Sequence, residues 1–143
     1  MGVLTLNGEQ EAGGRMGEQS DSRPIVLVVE DFEDNRFMMR RLLEMSGYRV
    51  VEAVNGNQAV ESAASESPDI ILMDLSLPQL DGLAATRRIR SQEGLRKVPI
   101  VAVSAHDSAD FHAEALAAGC NEYVTKPIDF DQLVQLLDRL TAK

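Results

Sequence analysis

The 143-residue chain contains no tryptophan, two tyrosines, four phenylalanines and a single cysteine. With aromatics at 4%, the interior must be filled mainly by aliphatic side chains. The lone thiol, Cys120, excludes an intrachain disulfide and suits a reducing compartment, so a cytoplasmic location is expected. It follows Gly119 and precedes a strand-like run, which reads as a small core residue rather than a reactive thiol. No apolar run approaches the ~18 residues of a membrane span. The first residues also lack the basic start and apolar centre of a secretory signal. Basic residues are in deficit: 14 Lys and Arg against 23 Asp and Glu give a net charge of −9 and a pI near 4.6. This argues against non-specific binding to nucleic acid or an anionic membrane. Glycine is missing where a phosphate cradle needs it. The loop after the first apolar run reads Glu30-Asp31-Phe32-Glu33-Asp34, which repels phosphate and argues against a nucleotide or flavin at that turn.

What is present has a regular order. Residues 1–23 mix Gly, Glu, Gln and Ser without a sustained apolar period, the composition of a flexible N-terminal tail. Residues 24–143 suffice for one domain with its own core. From Pro24 the chain alternates strand and helix five times. The strands are expected at Pro24–Val29, Arg49–Ala53, Asp69–Met73, Pro99–Val103 and Glu122–Thr125. The helices are expected at Asp34–Ser46, Asn57–Glu66, Gly82–Gln92, Ser108–Ala118 and Asp129–Thr141. Met38, Leu42 and Met45 read as the apolar side of the first helix, and Leu133, Leu136, Leu137 and Leu140 as that of the last. Gly47 and Gly119 stand at helix C-termini. The alternation makes an α/β fold with a parallel sheet and right-handed crossovers the default. Continuously aliphatic first, third and fourth strands suit the sheet centre. The polar second and short fifth suit its edges.

Polar residues stand at the carboxyl ends of four of these strands: Glu30 and Asp31, Asp74, Ser104, and Lys126. In an open α/β sheet such ends face one crevice, where ligands bind. Carboxylates, a hydroxyl and an ammonium together suggest a divalent metal and a phosphoryl group. The hard oxygens suit Mg²⁺ with retained waters. A metal makes clustered like charges tolerable, and a carboxylate can then act as a nucleophile toward phosphorus. Metal and Lys126 would stabilise the transferring oxygens.

The stretches Val-Val-Glu30-Asp31, Ile-Leu-Met-Asp74-Leu-Ser-Leu-Pro78, Gly82, Val-Ser104-Ala105 and Thr125-Lys126-Pro127 resemble the receiver domain of two-component response regulators, in its single-domain group. The likeness runs from Ile25 to about Leu140. It implies a doubly wound, flavodoxin-like (βα)5 fold, with five parallel strands in the order 2-1-3-4-5. It also implies that Asp74 is the phosphoacceptor, with Mg²⁺ held by Asp31, Asp74 and the backbone carbonyl of Ser76, and by Glu30 directly or through water. Lys126 would pair with one phosphoryl oxygen and Ser104 would hydrogen-bond another. Ser104 and Tyr123 would form the switch, Ser76 and His106 would tune phosphoryl lifetime, and Lys126-Pro127 would be cis. Glu30 stands where the family more often has Asp, a longer reach that favours a water-mediated contact.

The resemblance implies phosphorelay signalling rather than a turnover enzyme, though the domain assists its own phosphorylation and dephosphorylation. The donor would be a histidine kinase or a histidine phosphotransfer protein. Output would pass to a protein target through the fourth helix, fifth strand and fifth helix. Neither DNA nor membrane binding is expected. The basic stretch from Arg87 to Lys97 lacks interleaved aromatics. Three other readings stay open. The chain could be a receiver fragment of a hybrid histidine kinase. A pseudo-receiver is disfavoured by the intact Asp31, Asp74, Ser104 and Lys126. An aspartate-nucleophile phosphatase of the haloacid dehalogenase type would show an acid two residues past the nucleophile, where this chain has Ser76.

Overall fold

The computed structural model describes residues 21–77 and 81–142. Most of the expected tail (1–20) and Pro78 therefore lie outside the described residues. Eleven elements follow in order: β1 (Ile25–Val29), α1 (Glu33–Met45), β2 (Arg49–Ala53), α2 (Gly56–Glu66), β3 (Ile70–Asp74), α3 (Gly82–Ser91), a 3-10 turn (Glu93–Leu95), β4 (Ile100–Ser104), α4 (Ala109–Ala118), β5 (Glu122–Thr125) and α5 (Phe130–Thr141). The strands form one parallel sheet in the order β2-β1-β3-β4-β5. This is the doubly wound, flavodoxin-like arrangement, with β2 and β5 at its edges.

Strand period 2 divides the core in two. Leu27, Val29, Ile71, Met73 and Ala102 point to the side covered by α2, α3 and α4, where Ala59, Ala63, Ala85 and Ala115 let the helices approach closely. Val26, Val28, Ile70, Leu72, Val101 and Val103 point to the other side, against Leu43 of α1 and Leu133 and Leu137 of α5. With both faces of β1, β3 and β4 covered, their continuous aliphatic runs follow from burial rather than from alternation.

Side-chain caps start four helices. Asn55, Asp81, Ser108 and Asp129 accept from the backbone N–H of Gln58, Ala84, Phe111 and Gln132. In α1 the N-cap is Phe32, which has no such acceptor. The Glu30 carboxylate takes the Phe32 N–H instead, at 3.0 Å. Gly47 and Gly119 have φ of 100° and 120°, which favours glycine after a helix.

Two expectations need correction. The inward line of α1 contains Arg36, Met39, Arg40 and the buried Leu43, whereas Met38 and Met45 are exposed. Arg36 and Arg40 turn toward β2, where Glu52 receives both, so charged positions on the sheet side displaced the apolar pattern that sequence suggested. Asp74 and Ser104 are the last residues of β3 and β4, not the first residues after them. The 3-10 turn at Glu93–Leu95, with Leu95 buried, had no distinct sequence signal.

Tyr48 ties the turn after α1 to α5: it is buried, and its hydroxyl donates to Asp138 Oδ1 at 2.6 Å. Burial first, then the hydrogen bond to Asp138, push its phenol up to about 12. An unfolded tyrosine titrates near 10. The Tyr48 contribution is therefore complete below pH ~10 and is lost as pH rises through about 12, because only the unfolded chain releases the proton in that window. Tyr48→Phe should cost about 1 kcal/mol at neutral pH and reduce the loss of stability between pH ~7 and ~11 in urea unfolding. An unchanged alkaline loss would refute this role.

Candidate functional site

The crevice at the carboxyl edge of the sheet collects the four strand ends. The parallel ladder continues past the strands themselves: Glu30 N–H donates to Ala53 O at 3.0 Å, Leu75 N–H to Val103 O at 3.0 Å, and Lys126 N–H to Ser104 O at 2.8 Å. These bonds fix the backbone of each site loop to its neighbour, so the side chains project from a rigid edge.

Carboxylate oxygens of Glu30, Asp31 and Asp74 lie within 4.8 Å of one another. Asp74 is buried at 4% exposure, and both its oxygens are engaged. Oδ1 accepts the Ser76 N–H at 2.9 Å, and Oδ2 accepts from Lys126 Nζ at 3.3 Å. The same ammonium stands 3.9 Å from Glu30 Oε1. Burial pushes the Glu30 carboxyl above its usual range, and the Asp74 charge adds to this against the Phe32 hydrogen bond and Lys126. The Lys126 ammonium thus stands beside two of the three clustered carboxylates, and the third, Asp31, is open to solvent. A hard, oxygen-only donor set with excess negative charge and a solvated side fits a divalent cation that keeps part of its water shell.

Ser104 is buried, but its hydroxyl is turned to its own loop. It accepts the His106 N–H at 3.1 Å and lies 3.3 Å from His106 Nδ1. His106 is exposed and stacks on Phe111 with ring centroids 4.6 Å apart. Tyr123 is half-buried on the edge strand, and its hydroxyl donates to the His106 carbonyl at 2.9 Å. His112 stacks on Tyr123 at 3.8 Å, with Nε2 3.3 Å from Asp107 Oδ1. That separation suits an ion pair if the ring is protonated, but Nε2 has no aligned hydrogen bond. The Lys126-Pro127 peptide is cis. The structure thus brings Glu30, Asp31, Asp74, Ser76 and Lys126 together, and groups Ser104, His106 and Tyr123 in a second cluster on the β4–α4 side. Phe111, His112 and Glu52 escaped sequence reasoning, as did the pairing of Arg36 with Glu52, because nothing in a single chain pairs a helix residue with a distant strand or ring.

Residues 26–138 match the family described as the response regulator receiver domain. The chain belongs to that family. It is 35% identical over 112 residues to the polar-differentiation response regulator DivK of Brucella anthropi, covering 78% of this chain and 91% of that protein. Among solved structures, the receiver domain of the sensor histidine kinase PA1611 from Pseudomonas aeruginosa PAO1 has a magnesium ion coordinated in its active-site cleft. It is 40% identical, with a TM-score of 0.79, over 85% of this chain and 100% of that one. The Vibrio cholerae chemotaxis protein CheY4 is 27% identical with the same TM-score of 0.79, over 83% and 99%. This receiver is accordingly a signalling protein of the two-component type. Among the described residues no helix is long and apolar enough to cross a membrane.

Gly82 holds the receiver's α3 against the end of β3. A Cβ there would meet the Asp74 carbonyl oxygen and stand 2.7 Å from Leu75 Cα, both backbone atoms. Gly82→Ala should destabilise the fold by about 1–3 kcal/mol and shift the backbone NMR resonances of Asp74, Leu75 and Ser76. A variant of wild-type stability and spectrum would contradict so close a fit.

Proposed function

We propose that this receiver accepts a phosphoryl group on Asp74, in the presence of Mg²⁺, from a histidine kinase or histidine phosphotransfer protein in the cytoplasm. The observation that carries this reading is the environment of the Asp74 carboxylate. It is buried, oriented through both oxygens by Ser76 and Lys126, and set within 4.8 Å of two further carboxylates. Asp31, Asp74 and the Ser76 carbonyl would hold Mg²⁺, with Glu30 directly or through water. When bound, the ion screens the carboxylates and neutralises charge on the transferring oxygens. One Asp74 oxygen attacks phosphorus, the phosphorus–nitrogen bond of the donor histidine breaks, and the imidazole leaves with its electron pair. Lys126 then exchanges Asp74 Oδ2 for a phosphoryl oxygen. Hydrolysis of the resulting acyl phosphate by water resets the site, which makes the domain a participant in its own phosphorylation and dephosphorylation rather than a turnover enzyme.

A groove of about 430 Å³ beside Lys126 supports the choice of donor. Met38, Met39 and Leu42 of α1 line one wall, and Pro127, Ile128 and Phe130 the other. A donor helix carrying a phosphohistidine to Asp74 would cover this groove, and the apolar side chains of α1 would meet it. Arg36 and Arg40 of α1 are paired with Glu52 and so leave this contact to the apolar side chains.

Output passes to a protein target through α4, β5 and α5, without direct contact to DNA. On phosphorylation the Ser104 hydroxyl, which now accepts the His106 N–H, would reorient to donate its own proton to a phosphoryl oxygen. Tyr123 is bonded to the same loop at the His106 carbonyl, so the rearrangement of Ser104 is transmitted to the α4–β5 face. Moving an equilibrium from 1:99 to 99:1 needs about 5.5 kcal/mol. One new charge-assisted hydrogen bond supplies about 1.5–3 kcal/mol. The switch is therefore partial until the target binds. A second reading, a receiver belonging to a hybrid histidine kinase, draws on the 40% identity to the PA1611 receiver and leaves the chemistry at Asp74 unchanged.

With acetyl phosphate and Mg²⁺ the protein should gain the mass of one phosphoryl group. Asp74→Asn or excess EDTA should abolish the gain, and labelling that persists in either would overturn the assignment. His106→Ala should still be phosphorylated, but its autodephosphorylation rate should change several-fold. A tenfold change corresponds to ~1.4 kcal/mol of barrier, within reach of one repositioned water. Superimposable decay curves would remove His106 from the tuning set.

A further inference from the structure

The acidic loop is held from behind by a residue to which the phosphoryl-transfer reading gives no part. Arg36 lies one turn inside α1, and its side chain is 15% exposed. Its backbone N–H donates to Phe32 O at 3.0 Å, closing the first turn of the helix. Its guanidinium reaches back over that turn. Nη1 donates to the Glu30 carbonyl at 3.1 Å and makes a long contact to the Asp31 carbonyl at 3.5 Å. Nε donates to Glu52 Oε1 at 3.0 Å. Arg40, one turn further along, holds the other oxygen of the same Glu52 carboxylate. Burial opposes the ionised form of Glu52, but hydrogen bonds from Arg40 and Arg36 prevail, and its carboxyl sits below the usual range.

This arrangement answers a local problem. Glu30, Asp31 and Asp74 repel one another, and the N-cap of α1 has no side-chain acceptor of its own. A loop that must hold like charges together needs a restraint on its backbone that leaves the carboxylates free. Drawing the adjacent carbonyls of Glu30 and Asp31 toward one guanidinium fixes the peptide plane between them. The direction in which the Asp31 side chain departs is fixed with it. A planar fork with several donors can do this while also gripping Glu52 on β2, whereas an ammonium cannot. We infer that Arg36, oriented by Glu52, is a positioning residue that sets the Glu30–Asp31 loop for Mg²⁺ without touching the ion.

The inference rests on the proposed Mg²⁺ site, and Arg40 supplies an internal control. Arg40 braces α1 against β2 through the same carboxylate but makes no contact with the loop carbonyls. Titration calorimetry with Mg²⁺ alone, and Mn²⁺ binding followed by electron paramagnetic resonance, read the metal site without phosphorylation. Arg36→Gln should raise the Mg²⁺ Kd by about tenfold, the low end of the effect of removing a group that orients a metal ligand. Arg40→Gln should leave it within about twofold, even if both variants lose similar thermal stability. Arg36→Lys should restore only part of the affinity. At saturating Mg²⁺ the rate of labelling by acetyl phosphate in Arg36→Gln should return close to wild type, so that the defect lies in metal demand rather than in chemistry. If Arg36→Gln does not fold, Glu52→Gln, which keeps the guanidinium but neutralises the carboxylate that aims it, should raise the Kd in the same direction. Equal Kd increases in Arg36→Gln and Arg40→Gln, or no increase in Arg36→Gln or its Glu52→Gln substitute, would overturn the role. A wild-type protein that binds no Mg²⁺ would instead overturn the site itself.

Discussion

Glu30, Asp31 and Asp74 bring three carboxylates within 4.8 Å of one another, and Lys126 is the ammonium that stands among them. At such distances like charges cost free energy that no surface packing offsets unless something holds the backbone in place. Much of the structure around the crevice meets this constraint. The extended ladder bonds at Glu30, Leu75 and Lys126 fix the loops to the sheet. The Ser76 N–H and the Lys126 ammonium take one Asp74 oxygen each. Glu30 serves as the surrogate cap of α1, and Arg36 grips the loop carbonyls from the far side. Gly82 lets α3 begin against the Asp74 carbonyl, where any side chain would push the backbone away. The stored repulsion gives a divalent cation its driving force for entry.

The second cluster is assembled by different forces. His106, Phe111, His112 and Tyr123 make a short aromatic stack in a protein with few aromatics, with rings between 3.8 and 6.4 Å apart. Stacks of this kind contribute about 0.5–1.5 kcal/mol per pair. The Ser104 and Tyr123 hydroxyls both bond to His106, one to its backbone N–H and the other to its carbonyl. Each bond is worth about 0.5–1.5 kcal/mol net, at or below the ~1.5–3 kcal/mol of a hydrogen bond to a charged group. The crevice loops are thus tied to the sheet by backbone ladder bonds, whereas the neighbouring loop is held by two side-chain hydroxyls and ring stacking.

Sequence revealed the sheet order, its edges and the strand-end residues because each follows from a local pattern: aliphatic runs, polar punctuation at carboxyl ends, and a motif set shared with the receiver family. It did not reveal the inner face of α1. There Arg36 and Arg40 occupy positions that an amphipathic reading assigns to solvent, and their partner Glu52 lies in another strand. Nor did it reveal where the Ser104 hydroxyl points, since a rotamer depends on the His106 loop rather than on strand geometry. The stacking of His112 on Tyr123 joins α4 to β5 and leaves no trace in spacing along the chain.

The central claim is that strand-end groups from four strands act as one site on a phosphoryl group at Asp74. A crystal structure of the protein with Mg²⁺ and beryllofluoride, a phosphoryl mimic, tests this most directly. The account predicts the beryllium on an Asp74 oxygen and Mg²⁺ at about 2.0–2.1 Å from oxygens of Asp31, Asp74 and Ser76. Lys126 Nζ and the Ser104 hydroxyl should both contact fluorine, the latter released from His106. A fluoroberyllate bound away from Asp74, or bound there with Lys126 and Ser104 both turned aside, would contradict it.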